Sequence, residues 1–142
     1  SDSYFTQPAP KSTGPEYFSA AWLQRHLDKI GKLDPADVQA TLLALTTRSI
    51  ADSIRLLPGL GKPAVLVCGG GAHNVALMNL LKKFLPDSTV APTDTLGVPA
   101  GWVEAMAFAW LARQRVLEKP GNCPLVTGAT RPAVLGGIYL PG

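Results

Sequence analysis

A short apolar run that leads into three consecutive glycines constrains this chain more than any other feature. Residues 64–85 read AVLVCGGGAHNVALMNLLKKFL. The run Ala64–Cys68 is dense in valine and leucine, which predicts a strand buried on both faces. The segment Asn74–Phe84 carries its leucines on one stripe, which predicts an amphipathic helix. A strand, a glycine turn and a helix in this order place bare backbone and a helix N-terminus beside a ligand.

The turn formed by Gly69, Gly70 and Gly71 has a structural and a ligand-binding interpretation. In the structural one, glycine permits a tight strand-to-helix turn and Asn74 caps the helix. A tight turn does not need three glycines, and each one costs conformational entropy on folding. We therefore favour ligand binding, with a nucleotide as the leading ligand. The turn is not a Rossmann fingerprint, since Asn74 stands where the last glycine of G-x-G-x-x-G belongs.

Helices and strands alternate along the rest of the chain, which indicates an α/β fold. We predict an extended leading segment over residues 1–15 and parallel pairing of the glycine-turn strand with the next one. The other predicted elements are helices from about Glu16 to Ile30, Pro35 to Leu57 and Trp102 to Glu118, and strands Ser88–Ala91 and Ala133–Leu140.

Composition excludes several classes of protein. The chain is 46% hydrophobic and 16% charged, which is globular, and its 142 residues suit one domain. Its net charge of +3 is scattered, so we infer no nucleic-acid partner. We expect no signal peptide and no membrane span, which favours the cytoplasm, and two distant cysteines, Cys68 and Cys123, favour a reducing compartment. No histidine, cysteine or carboxylate pair has metal-ligand spacing, so no protein-ligated metal is predicted.

Glu104 is the most interesting charged residue outside the turn. It lies in the first turn of an alanine-rich helix, where it either complements the helix dipole or takes part in a site. Asp94 is a weaker candidate, Thr127 faces a ligand or lies in a plain turn, and His73 alone receives no role. No nucleophile–base pair emerges. The residues alone therefore indicate a nucleotide- or sugar-binding α/β unit that lacks part of its catalytic groups.

Four motifs in a fixed order add a resemblance to a known family. They are YFTQPAPKSTGPEYF, VLVCGGGAHNVALMNLL, TLGVPAGWVEAMAFAWLA and LVTGATRPAVLGGIYLPG, and they cover nearly the whole chain. The chain resembles the C-terminal part of anhydro-N-acetylmuramic acid kinase. That family belongs to the actin, hexokinase and Hsp70-like superfamily, whose ATP lies between two RNase H-like domains. The resemblance implies a partial RNase H-like domain of parallel strands with flanking helices, divided into a leading segment 1–15, a helical pair 16–58 and a nucleotide-binding part 64–142.

The resemblance also implies an activity. The family's enzymes act in the cytoplasm in murein recycling. They open the 1,6-anhydro ring of anhydro-N-acetylmuramic acid with water and phosphorylate O6 from ATP and Mg²⁺, giving N-acetylmuramic acid 6-phosphate. By resemblance, Gly69, Gly70, Gly71 and Asn74 bind the nucleotide. Glu104 faces the sugar or the hinge, on a helix matching the connection between the two lobes, and the enzyme is a possible homodimer.

Two family motifs are missing from this sequence. They are the N-terminal D-G-T-S motif and the D-T-G-P-G-N segment that would supply the general-base aspartate. We therefore expect no catalytic residue in this chain, and activity only together with an N-terminal portion. Lys11–Thr13 matches a family motif whose role the sequence leaves open. The alternative is a non-catalytic nucleotide- or sugar-binding module of the same fold.

Overall fold

The computed structural model describes residues 2–8, 10–57, 59 and 61–140. They form an α/β structure that is mostly helical and contains one two-stranded parallel sheet. The elements are α1 (Ala20–Ile30), α2 (Pro35–Arg55), β1 (Ala64–Val67), α3 (Val75–Phe84), β2 (Thr89–Pro92), α4 (Val103–Val116) and α5 (Pro124–Thr127). Short 3-10 turns cover Ser3–Thr6, Gly70–His73, Thr93–Leu96 and Ala100–Trp102. None of the helices in these ranges has the length and apolar character to cross a membrane.

The chain divides into two compact units, one of residues 32–105 and one of residues 1–31 with 106–142. In the first, β1 and β2 pair in parallel, with Ala64 opposite Thr89 and Val67 opposite Pro92. Helix α3 forms the crossover between them, as parallel strands require. The predicted parallel pairing is therefore confirmed. The predicted division into three segments stays a prediction.

The core of the 32–105 unit lies between α2, α3 and the sheet. Its buried side chains are Ala51, Met78, Leu81, Leu85 and Val90, and Leu81 is only 1% exposed. Strand β1 alternates between half-buried and exposed residues, and Leu66 is 40% exposed. The prediction of a strand buried on both faces was wrong, because among the described residues the core packs against one face only.

The helix starts follow local capping. The Asp34 carboxylate accepts from the Ala36 N–H at 2.8 Å with Pro35 at the first helical position, which confirms the predicted start of α2. The predicted start of α1 near Glu16 was wrong. The Gly14 carbonyl accepts from the N–H groups of Tyr17 and Phe18, which closes a separate turn. Ser19 is extended and caps the helix by accepting from Trp22 N–H at 3.2 Å.

Residues 133–140 form no strand, so the predicted last strand was wrong. Asn122 holds the start of this segment, because its Oδ1 accepts from the Ala133 N–H at 2.7 Å. The Gly121 N–H donates to the Ala133 carbonyl at 3.0 Å. Gly136 then adopts φ 80°, which interrupts an extended run. Apolar strand-like composition is not sufficient here, since a strand needs a partner edge.

The middle of helix α4, residues 105–112, carries only apolar side chains, which face all sides of the helix. Its alanines are exposed at Ala105, Ala107, Ala109 and Ala112. Phe108 and Trp110 are 63% and 49% exposed. Residues two apart on a helix face different directions, so the exposed apolar surface covers more than one side of α4. A helix of this composition is typically covered by neighbours in a larger protein.

Candidate functional site

The glycine turn joins β1 to α3 through an intervening 3-10 turn. Gly69 adopts φ 70°, and its N–H donates to the Ala100 carbonyl at 2.8 Å. The Gly69 carbonyl accepts from the Ala72 N–H, and the Gly71 carbonyl from the Asn74 N–H, each at 3.1 Å. The direct strand–turn–helix passage expected from sequence is therefore extended by one 3-10 turn.

Glycine is needed by the backbone at only one of the three positions. Gly69 needs it because of its positive φ. A Cβ added to Gly70 would have no heavy atom within 4 Å, and one added to Gly71 would meet only Leu77 Cδ1 at 3.9 Å. Packing within the described residues therefore leaves the space beside Gly70 and Gly71 open.

Asn74 is the N-cap of α3. Its Oδ1 accepts from the Leu77 N–H at 3.0 Å, and its own backbone is extended. The structural interpretation of Asn74 is therefore correct as far as the helix is concerned. Contact of Asn74 with a nucleotide stays a prediction.

The loop after β2 is bound to the glycine turn. The Asp94 carboxylate accepts from the Ala100 N–H at 3.2 Å, and the buried Ala100 in turn accepts from Gly69. Asp94 therefore shapes this loop. Both connections leave the carboxyl ends of parallel strands, the edge where α/β sheets bind ligands. The structure thus brings the glycine turn beside the 3-10 turn that precedes α4, and Glu104 is exposed in the first turn of that helix.

Thr93 is a residue that the sequence interpretation missed. It directly follows β2 at the same edge of the sheet, and its hydroxyl is buried with no hydrogen-bond partner among the described residues. Buried hydroxyls are normally paired, so an unpaired one marks a place where a ligand group or water completes the bonding. The only sequence signal was a polar residue directly after a strand.

Thr127 and the two cysteines were also considered from the sequence. The Thr127 hydroxyl donates to the Cys123 carbonyl at 3.0 Å and accepts from the Ala129 N–H at 3.4 Å, which supports the plain-turn interpretation. Cys68 and Cys123 are exposed free thiols. Within the described ranges, no three histidine, cysteine or carboxylate side chains gather to hold a metal ion.

Comparison with known proteins gives two findings. The sequence model described as anhydro-N-acetylmuramic acid kinase matches residues 1–141. A protein named anhydro-N-acetylmuramic acid kinase, from Shewanella amazonensis (strain ATCC BAA-1098 / SB2B), is 54% identical over 139 residues. That match covers 98% of this chain and 37% of the relative, so the chain spans well under half of the relative's length.

Proposed function

The chain belongs to the anhydro-N-acetylmuramic acid kinase family, and we propose that it is the nucleotide-binding C-terminal part of an ATP-dependent anhydro-sugar kinase. In this reaction water opens the 1,6-anhydro ring of anhydro-N-acetylmuramic acid. The γ-phosphoryl group of ATP passes to O6, giving N-acetylmuramic acid 6-phosphate and ADP. The enzyme would work in the cytoplasm, with this chain as part of an RNase H-like domain.

The observation that carries the proposal is the open space beside Gly70 and Gly71. Their N–H groups begin a 3-10 turn, where the first donors have no acceptor within the helix. Two adjacent N–H groups at the start of a helical turn, without side chains in front of them, can donate together to an anion. A phosphate group can approach this backbone closely, and the unpaired Thr93 hydroxyl lies at the same edge of the sheet.

Phosphoryl transfer depends mainly on positioning and electrostatic stabilisation. Backbone donors on the nucleotide phosphates supply both, because they hold the γ-phosphoryl group and offset its charge. Glu104 would accept a hydrogen bond from a sugar hydroxyl and so orient the substrate. The aspartate that deprotonates water would come from the N-terminal portion of the enzyme.

Mg²⁺ accompanies ATP in kinases, where substrate phosphates and one or two carboxylates usually hold it. Among the described residues, no group of three or more histidine, cysteine or carboxylate side chains could hold a metal ion without the nucleotide. A homodimer is also a family expectation and remains a prediction.

The experiment uses the protein encoded by the complete reading frame that contains this sequence. We expect ADP release that requires anhydro-N-acetylmuramic acid, and a product mass that exceeds the substrate by one phosphoryl group (HPO3) and one water. Glu104→Gln should lower kcat/KM by at least about tenfold, as expected for loss of one charged hydrogen bond. Glu118→Gln is the matched control, because Glu118 is exposed at the opposite end of the helical region.

A second candidate is a binding module without catalysis, which the lack of a nucleophile–base pair in this sequence favours. ATP and sugar binding without any ADP release from the complete protein would support that module and contradict the kinase. Wild-type turnover in Glu104→Gln would remove Glu104 from the site.

A further inference from the structure

A cavity of about 300 Å³ lies in the other unit, between the 3-10 turn Ser3–Thr6 and the residues that lead into α1. It is of the size at which small-molecule sites begin. Its lining residues are Tyr4, Gln7, Ser12, Thr13, Glu16 and Tyr17. The cavity therefore includes part of the Lys11–Thr13 motif, to which the proposed function gives no role.

The frame of the cavity is held by Asp2. Its Oδ1 accepts from the Tyr4 N–H at 2.9 Å and the Tyr17 hydroxyl at 2.7 Å, and its Oδ2 accepts from Trp22 Nε1 at 2.8 Å. These bonds, that from the Trp22 indole above all, lower the pKa of the Asp2 carboxyl. Tyr17 is thereby fixed in orientation before any ligand arrives.

Lys11 is engaged in the same frame. Its Nζ donates to the Tyr4 carbonyl at 3.0 Å and lies 4.7 Å from the centroid of the Tyr4 ring. The ammonium group therefore stabilises the turn and is not free to hold a phosphate.

The side chains that remain available to bind a ligand in the cavity are mostly uncharged. The side chains of Gln7, Ser12 and Thr13 are exposed and form no hydrogen bond with any described residue. Together they offer two hydroxyls and an amide, which both donate and accept. The Glu16 carboxylate folds back against Gly14, where an added Cβ would meet its Cδ at 2.9 Å. Two tyrosine rings add flat apolar surface.

Glu16 is the charged side chain among the lining residues, and the opposite charges of Asp2 and Lys11 in the frame offset each other, which disfavours an anion. Hydroxyl and amide groups beside fixed aromatic rings match the alternating hydroxyls and apolar C–H faces of a pyranose. We propose that this cavity binds an uncharged N-acetylated pyranose. The choice of an amino sugar rests on the proposed function, whereas the preference for an uncharged ligand rests on the cavity itself.

The test titrates the protein from the complete reading frame with N-acetylglucosamine, followed by ¹H–¹⁵N NMR. We expect shifts at the amides of Ser12 and Thr13 and at the Trp22 indole, with a Kd on the order of 1 mM for a ligand of this size. Thr13→Val and Ser12→Ala should each weaken binding about fivefold, the effect of one hydrogen bond. Ser53→Ala removes a comparable exposed hydroxyl from α2 and should leave the Kd unchanged.

N-acetylglucosamine 6-phosphate serves as the charged comparison and should bind this cavity more weakly. Three results would each overturn the proposal. They are an absence of shifts at these residues, a Kd in Thr13→Val and Ser12→Ala that is unchanged from the wild type, and tighter binding of the phosphorylated sugar at the cavity. Sugar binding with no ATP-dependent phosphorylation would contradict the proposed function alone. Phosphorylation with no shift at the cavity would contradict this inference alone.

Discussion

Replacement of Gly70 separates a ligand-binding turn from a purely structural one. A Cβ at this position has no heavy atom within 4 Å, and the φ of Gly70 is not in the left-handed region. Gly70→Val should therefore change the free energy of unfolding by no more than about 0.5 kcal/mol. The side chain would instead fill the space through which a phosphate approaches the backbone.

The expected loss of ATP affinity follows from the two donors at the turn. Each N–H bond to a charged phosphate oxygen contributes about 1.5–3 kcal/mol. If each of the two bonds contributes the lower value, losing both would weaken binding by about 3 kcal/mol, which is roughly a hundredfold in Kd. Calorimetric titration with ATP measures the affinity, and thermal unfolding of the same samples measures the stability.

Gly69→Ala is the contrasting variant. Because Gly69 has φ 70°, alanine there should cost about 1–2 kcal/mol of stability. A Gly70→Val protein that is folded and binds ATP as tightly as the wild type would refute the assignment of the turn to nucleotide binding.

Three further predictions concern stability. Leu81→Ala should cost about 2–5 kcal/mol in urea unfolding, because Leu81 is 1% exposed, whereas Leu125→Ala should stay within about 0.5 kcal/mol at a residue that is 90% exposed. Asn74→Ala should cost about 1 kcal/mol through loss of the α3 cap, and Asn74→Asp should recover most of it; equal losses would contradict the capping role. Since the pKa of Asp2 is lowered from 3.8 by its hydrogen bonds, its stabilisation is present above that value and is lost as the pH falls through the folded-state pKa. The Trp22 indole N–H signal should shift in that acid range in the wild type and show no such transition in Asp2→Asn.

Local hydrogen bonding made part of the fold predictable. Asp34 and Asn74 cap helices through bonds that span two or three residues, so neighbouring sequence is enough to locate them. The pairing of β1 with β2 was also predictable, because a glycine turn and an amphipathic helix between two apolar runs specify a parallel crossover.

The errors arose where the outcome depends on distant partners. Residues 133–140 have strand-like composition, yet they find no partner strand among the described residues. Leu66 was expected to be buried, but burial of its face depends on what covers the sheet. Thr93 was missed because sequence does not reveal which hydroxyl is enclosed without a partner. Of the candidate site, the position of the glycine turn was predictable and its contact with the loop before α4 was not.

The apolar surface of α4 has a consequence for calorimetry. The heat capacity change of unfolding reports the apolar surface that becomes newly hydrated, and a typical domain of 142 residues would give about 2 kcal/mol/K. Phe108 and Trp110 are already hydrated to 63% and 49% in the folded chain. The chain as described should therefore unfold with a smaller heat capacity change and a shallower urea dependence than its length implies. Covering α4 in a larger assembly would restore both toward the values typical of compact proteins.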